Sequence, residues 1–166
     1  MPESVSDAPT LVGRLAAAGL TVAVAESLTG GLVMATLTDV PGVSAVLRGG
    51  VVTYATDTKA SQLGVDEELL DSRGPVDPEV AAQMARGVRE RWGADIGLAA
   101  TGVAGPDPQD GHHVGEVYVA VADRSSVRAE RVAVPHAGTG PSPTRDQVRS
   151  AAVAAVLRLL DELVGP

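Results

Sequence analysis

Leu20-Thr21-Val22-Ala23-Val24-Ala25-Glu26-Ser27-Leu28-Thr29-Gly30-Gly31-Leu32-Val33-Met34-Ala35-Thr36-Leu37 is the stretch that decides the fold. Leu20 to Ala25 is a short, β-branched apolar run without clean alternation, as expected of a strand buried on both faces. It passes through the Ser/Thr/Gly turn at 26–31 into a helical pattern over Leu32 to Leu37. Open α/β proteins build sites this way, because the free N–H groups of the helix's first turn face the crevice and favour anions. The same turn also reads as a tight βα connection with Thr29 as its cap. A second strand, Ile96 to Ala100, ends in a comparable loop, Thr101-Gly102-Val103-Ala104-Gly105-Pro106. Two Gly-rich strand-end loops far apart in sequence can meet in one crevice.

Around these two units the chain falls into local patterns. Asp7 to Ala18 reads as a helix stopped by Gly19. Pro41-Gly42 ends the helix from Leu32, Val43 to Leu47 suits one helical turn, and Gly49-Gly50 precedes an expected strand, Val51 to Ala55. Thr58 to Leu63 suits a short helix closed by Gly64, and Ser72 to Pro75 a loop. Asp77-Pro78-Glu79 opens a longer helix with an N-cap, a proline at the first position and an acidic first turn. Val80, Met84, Val88 and Trp92 recur along its core-facing side, and Gly93 stops it. Pro108 to His113 is a polar, mobile loop in this reading. Val114 to Ala122 and Val127 to Val134 form a hairpin whose charges suggest an edge with one wet side. Ala137 to Pro143 is a flexible connection, and Thr144-Arg145-Asp146-Gln147 is a capping box opening a last helix, Val148 to Val164. Arg145 stands in the first turn, where a cation opposes the helix dipole, as a residue placed to bind something or to meet a surface carboxylate.

At 166 residues, with 45% hydrophobic and 2% aromatic content, the chain suits one domain with a Val, Leu and Ala core of helices on a sheet. The expected domain is 1–166, with 1–6 as a disordered tail. Having no cysteine, it offers no disulfide, thiolate ligand or Cys nucleophile and fits the cytoplasm. No signal peptide and no membrane span are evident. A formal charge of −8 disfavours nucleic acid, although one helix N-terminus and one Arg can still hold a phosphorylated metabolite. His112, His113 and His136 do not have metal-ligand spacing, and neither metal nor cofactor is expected.

The 13 basic residues are 12 arginines and one lysine, Lys59. An arginine stays charged at working pH, whereas a desolvated lysine can lose its proton and serve as a base. Tyr54 stands five residues before it, and two serines, Ser44 and Ser27, stand upstream. Ser, Tyr and Lys can assemble a metal-free acyl-transfer site. Lys59 also reads as the surface lysine of an amphipathic turn, with Tyr54 ending a strand.

Six ordered motifs now stand out: Ala25 to Gly31; Pro41 to Ser44; Gly50 to Tyr54 followed by Lys59; Ala100 to Pro106; Val114 to Val117; and Arg145 to Arg149. Together they resemble the CinA C-terminal-domain family, whose active members are nicotinamide-mononucleotide amidohydrolases. The resemblance implies an α/β fold, a three-layer α/β/α sandwich with a central mixed sheet, in a stand-alone cytoplasmic homodimer that acts on nicotinamide mononucleotide. The family's functional residues fall on Ser27, Ser44, Tyr54, Lys59, Thr101 and Arg145. Between Gly105 and Val114 the chain departs from the family, carrying Pro-Asp-Pro-Gln-Asp-Gly-His-His where many relatives have a Gly-rich, charged insertion.

In the expected mechanism Ser44 is the nucleophile, activated by neutral Lys59 directly or through Tyr54. The reverse assignment, with Ser27 attacking, is the alternative. Ser27 and the N–H groups near Thr29, Gly30 and Gly31 orient substrate or hold the oxyanion. Arg145 and the loop with Thr101, Gly102 and Gly105 take the phosphate and ribose. Two other readings remain: a catalytically silent nucleotide-binding or interaction module linked to competence and DNA damage, and an amidase for a different small amide.

Overall fold

Five strands form one mixed sheet at the centre of a computed structural model, which describes residues 7–136, 140 and 142–165. They are β1 (Val22–Glu26), β2 (Leu47–Val52), β3 (Ile96–Gly102), β4 (Val117–Ala122) and β5 (Val127–Arg131), in the spatial order β2-β1-β3-β4-β5. β1 pairs in parallel with β2 and β3, and β3, β4 and β5 pair antiparallel. The helices are α1 (Ala8–Ala18), α2 (Leu32–Thr38), α3 (Thr56–Leu63), α4 (Glu67–Arg73), α5 (Pro78–Arg91) and α6 (Arg145–Val164), with a 3-10 turn at Val43–Ala45. The tail at 1–6 and positions 137–139 and 141 of the expected connection lie outside the described residues.

Strand alternation feeds two cores. Val22, Val24, Leu98 and Val119 are buried with Leu11, Leu15, Val33, Leu37, Val156 and Leu160 of α1, α2 and α6. Ala23, Ala25, Ala99, Ala120 and Ala122 are buried on the other face with Leu63, Leu70, Val80, Met84 and Val88 of α3, α4 and α5. This is the three-layer α/β/α sandwich. The second face carries alanine because α5 lies so close that a Cβ on Gly97 would come within 1.9 Å of Ala85 O. Two of the caps read from sequence are present: Asp77 accepts from Glu79 N–H at 2.7 Å, and Thr144 and Gln147 close both halves of the capping box. Asp7, just before α1, accepts from Thr10 N–H at 2.9 Å.

Several boundaries differ from expectation. α4 went unread, although Asp66 caps it and Glu67 and Glu68 fill its first turn, because only Leu69 and Leu70 in it are apolar. β2 begins at Leu47 and includes Gly49 and Gly50, which were expected to precede it. The register slips between Leu47 opposite Val22 and Gly49 opposite Ala23. A Cβ would lie 2.5 Å from Trp92 Nε1 at Gly49 and 2.4 Å from Val24 O at Gly50. These glycines therefore answer a bulge and close neighbours inside a strand. β4 starts at Val117 because Gly115 N–H donates to Val103 O and Glu116 N–H to His113 O, a turn pattern. β5 ends at Arg131, and α6 starts at Arg145, three residues early. The loop expected to be mobile at 108–113 is closed by reciprocal backbone bonds between Gln109 and His112, at 3.1 and 2.8 Å.

From β1 the chain crosses through α2 to β2 on one side, then returns through α3, α4 and α5 to β3 on the other. The connections thus leave a crevice at the carboxyl ends of β1 and β3, where open α/β sheets bind ligands.

Candidate active site

Ser27 is the first residue beyond β1, and its N–H donates to Ala100 O of β3 at 3.1 Å. This bond ties the two strand ends together, so the two Gly-rich loops do meet. Their shared cleft is lined by Ser27, Tyr54, Lys59, Thr101, Gly102, Gly105 and Arg145, among others.

Lys59 stands on the side of α3 turned to the sheet and is 1% exposed. Its Nζ donates to Thr53 O at 2.7 Å and lies 3.1 Å from Ser27 Oγ. Among the described residues no carboxylate forms an ion pair with it. Burial alone disfavours the charged form and pulls its pKa from the usual 10.5 to about 8. About a tenth of the lysine is then the neutral amine at pH 7. A neutral amine 3 Å from a hydroxyl is the arrangement that activates a serine nucleophile.

The serine in reach is Ser27. Ser44 lies in the 3-10 turn before β2, exposed, at the amino end of a parallel strand whose carboxyl end approaches the cleft. Six strand residues put it about 20 Å away, so within one chain the structure does not bring Ser44 to Lys59. Proximity to Lys59 in the sequence suggested otherwise, but β2 carries the chain across the sheet between the two residues.

The turn at 27–31 also departs from expectation. Gly30 N–H donates to Ser27 O at 3.0 Å. The Glu26 carboxylate, 0% exposed, accepts from Gly31 N–H at 3.0 Å, Val33 N–H at 3.1 Å and Met34 N–H at 2.9 Å. The amino end of α2 is therefore filled by the chain's own carboxylate, and Gly30 and Gly31 have no free N–H for a ligand. Thr29 does not cap α2 either; its hydroxyl is buried and has no hydrogen-bond partner among the described residues. Leu28 lines the cleft, and its N–H makes no hydrogen bond among the described residues.

Arg145 and Arg149, one turn apart on α6, hold the loops. Arg149 donates from Nε to Leu28 O at 3.1 Å and from Nη2 to Thr29 O at 2.8 Å. Arg145 donates from Nη1 to Gly105 O at 2.8 Å and from Nη2 to the Tyr54 hydroxyl at 3.1 Å. Its guanidinium thus rests on two neutral oxygens at the cleft, with no carboxylate paired to it among the described residues. Tyr54 is 61% exposed and stands at the rim. Thr101 is buried, its hydroxyl donating to Pro75 O at 2.7 Å, so it braces the cleft wall.

Glu26 and Arg149 are the residues that sequence reasoning missed. Both lay inside quoted motifs. A carboxylate six residues before a helix was the available signal, since it can reach that helix's first turn. His112 pairs with Glu116, Nδ1 to Oε1 at 3.0 Å, and among the described residues no three His, Asp or Glu side chains converge as a metal site. No helix of the described residues is long and apolar enough to cross a membrane.

A mixed α/β/α sandwich with a lysine-backed serine at the switch point is the class that fold and site define. The pattern described as the CinA C-terminal domain matches residues 6–164, and the chain belongs to that family. A CinA-like protein of Frankia casuarinae is 46% identical over 154 residues, covering 93% of this chain and 34% of that protein. A putative competence-damage inducible protein of Halothermothrix orenii is 48% identical over 122 residues, 72% of this chain and 30% of its own length. The chain thus spans about a third of the length of these relatives. Among solved structures, the competence/damage inducible protein CihA from Agrobacterium tumefaciens superposes with a TM-score of 0.81 at 35% identity, covering 96% of this chain and 97% of that one. A CinA superfamily protein from Enterobacter cloacae gives 0.85 at 26% identity, covering 99% and 96%.

Proposed function

We propose that the chain hydrolyses the carboxamide of nicotinamide mononucleotide to nicotinate mononucleotide and ammonia, with Ser27 as nucleophile and Lys59 as its base. The observation that carries this reading is the buried Lys59 Nζ, without an ion-pair partner among the described residues and 3.1 Å from Ser27 Oγ, with its pKa lowered to about 8. Neutral Lys59 takes the Ser27 proton as Oγ attacks the amide carbon. The resulting ammonium returns that proton to the departing nitrogen, and ammonia leaves an acyl-serine. Water, deprotonated by the same amine, then splits the ester and restores Ser27.

The Thr53 carbonyl fixes Nζ, so the amine meets the hydroxyl without searching rotamers. The Leu28 N–H, directly after the nucleophile, is positioned along the chain to donate to the oxyanion. Arg145 can exchange its neutral oxygen partners for phosphate oxygens, a charge-assisted and stronger pairing.

Purified protein incubated with nicotinamide mononucleotide should release ammonia and nicotinate mononucleotide, unaffected by chelator, with release lost in both Lys59→Ala and Ser27→Ala. A wild-type protein that releases no ammonia would overturn the reaction and leave a nucleotide-binding module.

A further inference from the structure

One cleft group is at odds with a site for a phosphate ester. Asp107 is the sole carboxylate among the described residues that line the cleft. A carboxylate facing a bound phosphate weakens its attraction. It is exposed and makes no hydrogen bond and no ion pair with any described residue. The segment that carries it is also held in place. Arg145 grips Gly105 O on one side at 2.8 Å. On the other, Gln109 and His112 bond reciprocally, and His112 meets Glu116 at 3.0 Å, which also accepts from the Tyr118 hydroxyl at 3.1 Å. Burial pushes the Glu116 carboxyl up, but the bonds from His112 and Tyr118 outweigh it and hold the carboxyl below its usual value. The anchor therefore carries a charged acceptor.

We infer that Asp107 is a specificity-determining residue that reads a positive charge on the ligand's ring. This inference rests on the proposed substrate. Nicotinamide mononucleotide has a cationic pyridinium as well as an anionic phosphate, so a cleft with one guanidinium and one carboxylate complements both ends. Arg145 takes the phosphate and Asp107 faces the ring charge. The 1,4-dihydro form of the same nucleotide keeps the phosphate, ribose and carboxamide but has a neutral ring. Asp107 thus favours the oxidised form over the reduced one.

Binding separates this inference from the hydrolysis. Calorimetric Kd values for nicotinamide mononucleotide and for its dihydro form are compared in Ser27→Ala protein, where turnover cannot intervene, with and without Asp107→Asn. Asp107→Asn should weaken the pyridinium form about 3- to 5-fold, the upper range for a solvent-exposed charge pair, and change the dihydro form less than about 2-fold. Equal losses for both forms would make Asp107 a ribose ligand and overturn the inference, as would no loss for either. An Asp107→Asn protein with an altered melting temperature is replaced by Asp107→Ser, read the same way. A wild type that releases no ammonia but shows the selective loss sinks the hydrolase reading and keeps Asp107 as the charge reader. Ammonia release without selective loss does the reverse.

Discussion

Glu26 and Lys59 are both buried charges beside the carboxyl end of β1, and their surroundings treat them in opposite ways. The Glu26 carboxylate accepts three backbone N–H bonds from the amino end of α2. Lys59 has one carbonyl, one hydroxyl and no ion-pair carboxylate among the described residues. Glu26 faces the α2 layer and Lys59 comes from the α3 layer, so the strand end separates a satisfied charge from a strained one. Burial by itself therefore does not mark a reactive group. A charge whose hydrogen bonds are complete holds structure together, and one whose bonds are incomplete is available for chemistry.

The comparison breaks first at Lys59. Lys59→Arg keeps a cation and removes the base, and its kcat should fall by about 10³-fold or more. Lys59→Met should lose as much activity yet be more stable at pH 7, by up to about 3 kcal/mol in urea unfolding. The sign follows from the lowered pKa. Below pH 8 both folded and unfolded lysine hold the proton, and the folded state bears the full cost of burying it. Between about 8 and 10.5 only the unfolded lysine keeps it, so wild-type stability rises with pH in that window, and the rise should vanish in Lys59→Met. Ser27→Ala should lose more activity than Ser44→Ala. The opposite order would require Ser44 to reach the cleft from a second copy of the chain.

Glu26 should respond through stability. Glu26→Ala orphans one buried and two part-buried N–H groups and should cost about 3 kcal/mol in denaturant midpoint analysis, with Glu26→Gln in between. If Glu26→Gln instead kept full stability and lost kcat, the division between the two charges would be wrong.

The pH profile sharpens the same contrast. With Lys59 as the base, kcat/KM should climb about tenfold per pH unit up to about 8 and then level. Steady-state rates from pH 6 to 9.5 check this. A profile flat through pH 8 removes Lys59 from the chemical step. The smallest expected effect is at the rim, where Arg145→Lys should raise KM about tenfold with a lesser change in kcat, because an ammonium cannot span both Gly105 O and the Tyr54 hydroxyl.

Much of this was legible in the chain. Ser27 and Leu28 of the turn after β1, the loop after β3 and the single lysine line the cleft with Tyr54, Thr101, Gly102, Gly105 and Arg145, whereas Thr29, Gly30 and Gly31 are not among its lining residues. Residue chemistry and strand-end position carried that reading. Ser44 did not follow, because closeness along the chain is misleading when a strand lies between. The free N–H groups assigned to Gly30 and Gly31 did not follow either, since the Ser27 carbonyl already takes the first and the Glu26 carboxylate the second. α4 escaped because a helix with one buried leucine leaves little periodicity to read.

By itself the sequence determined an α/β chain of buried strands and amphipathic helices, the caps at Asp77 and Thr144 and the strand-end loops, while the three layers were implied by the family resemblance. The first set rests on local rules: apolar spacing, capping side chains within three residues, and glycine at turns. Only the tertiary structure decided which serine meets Lys59, which carboxylate closes α2 and how two arginines of α6 grip both loops. Strand order and the direction of each crossover set those pairings. They join residues 32 apart at Lys59 and Ser27, and 121 apart at Arg149 and Leu28, a separation at which local pattern carries no distance.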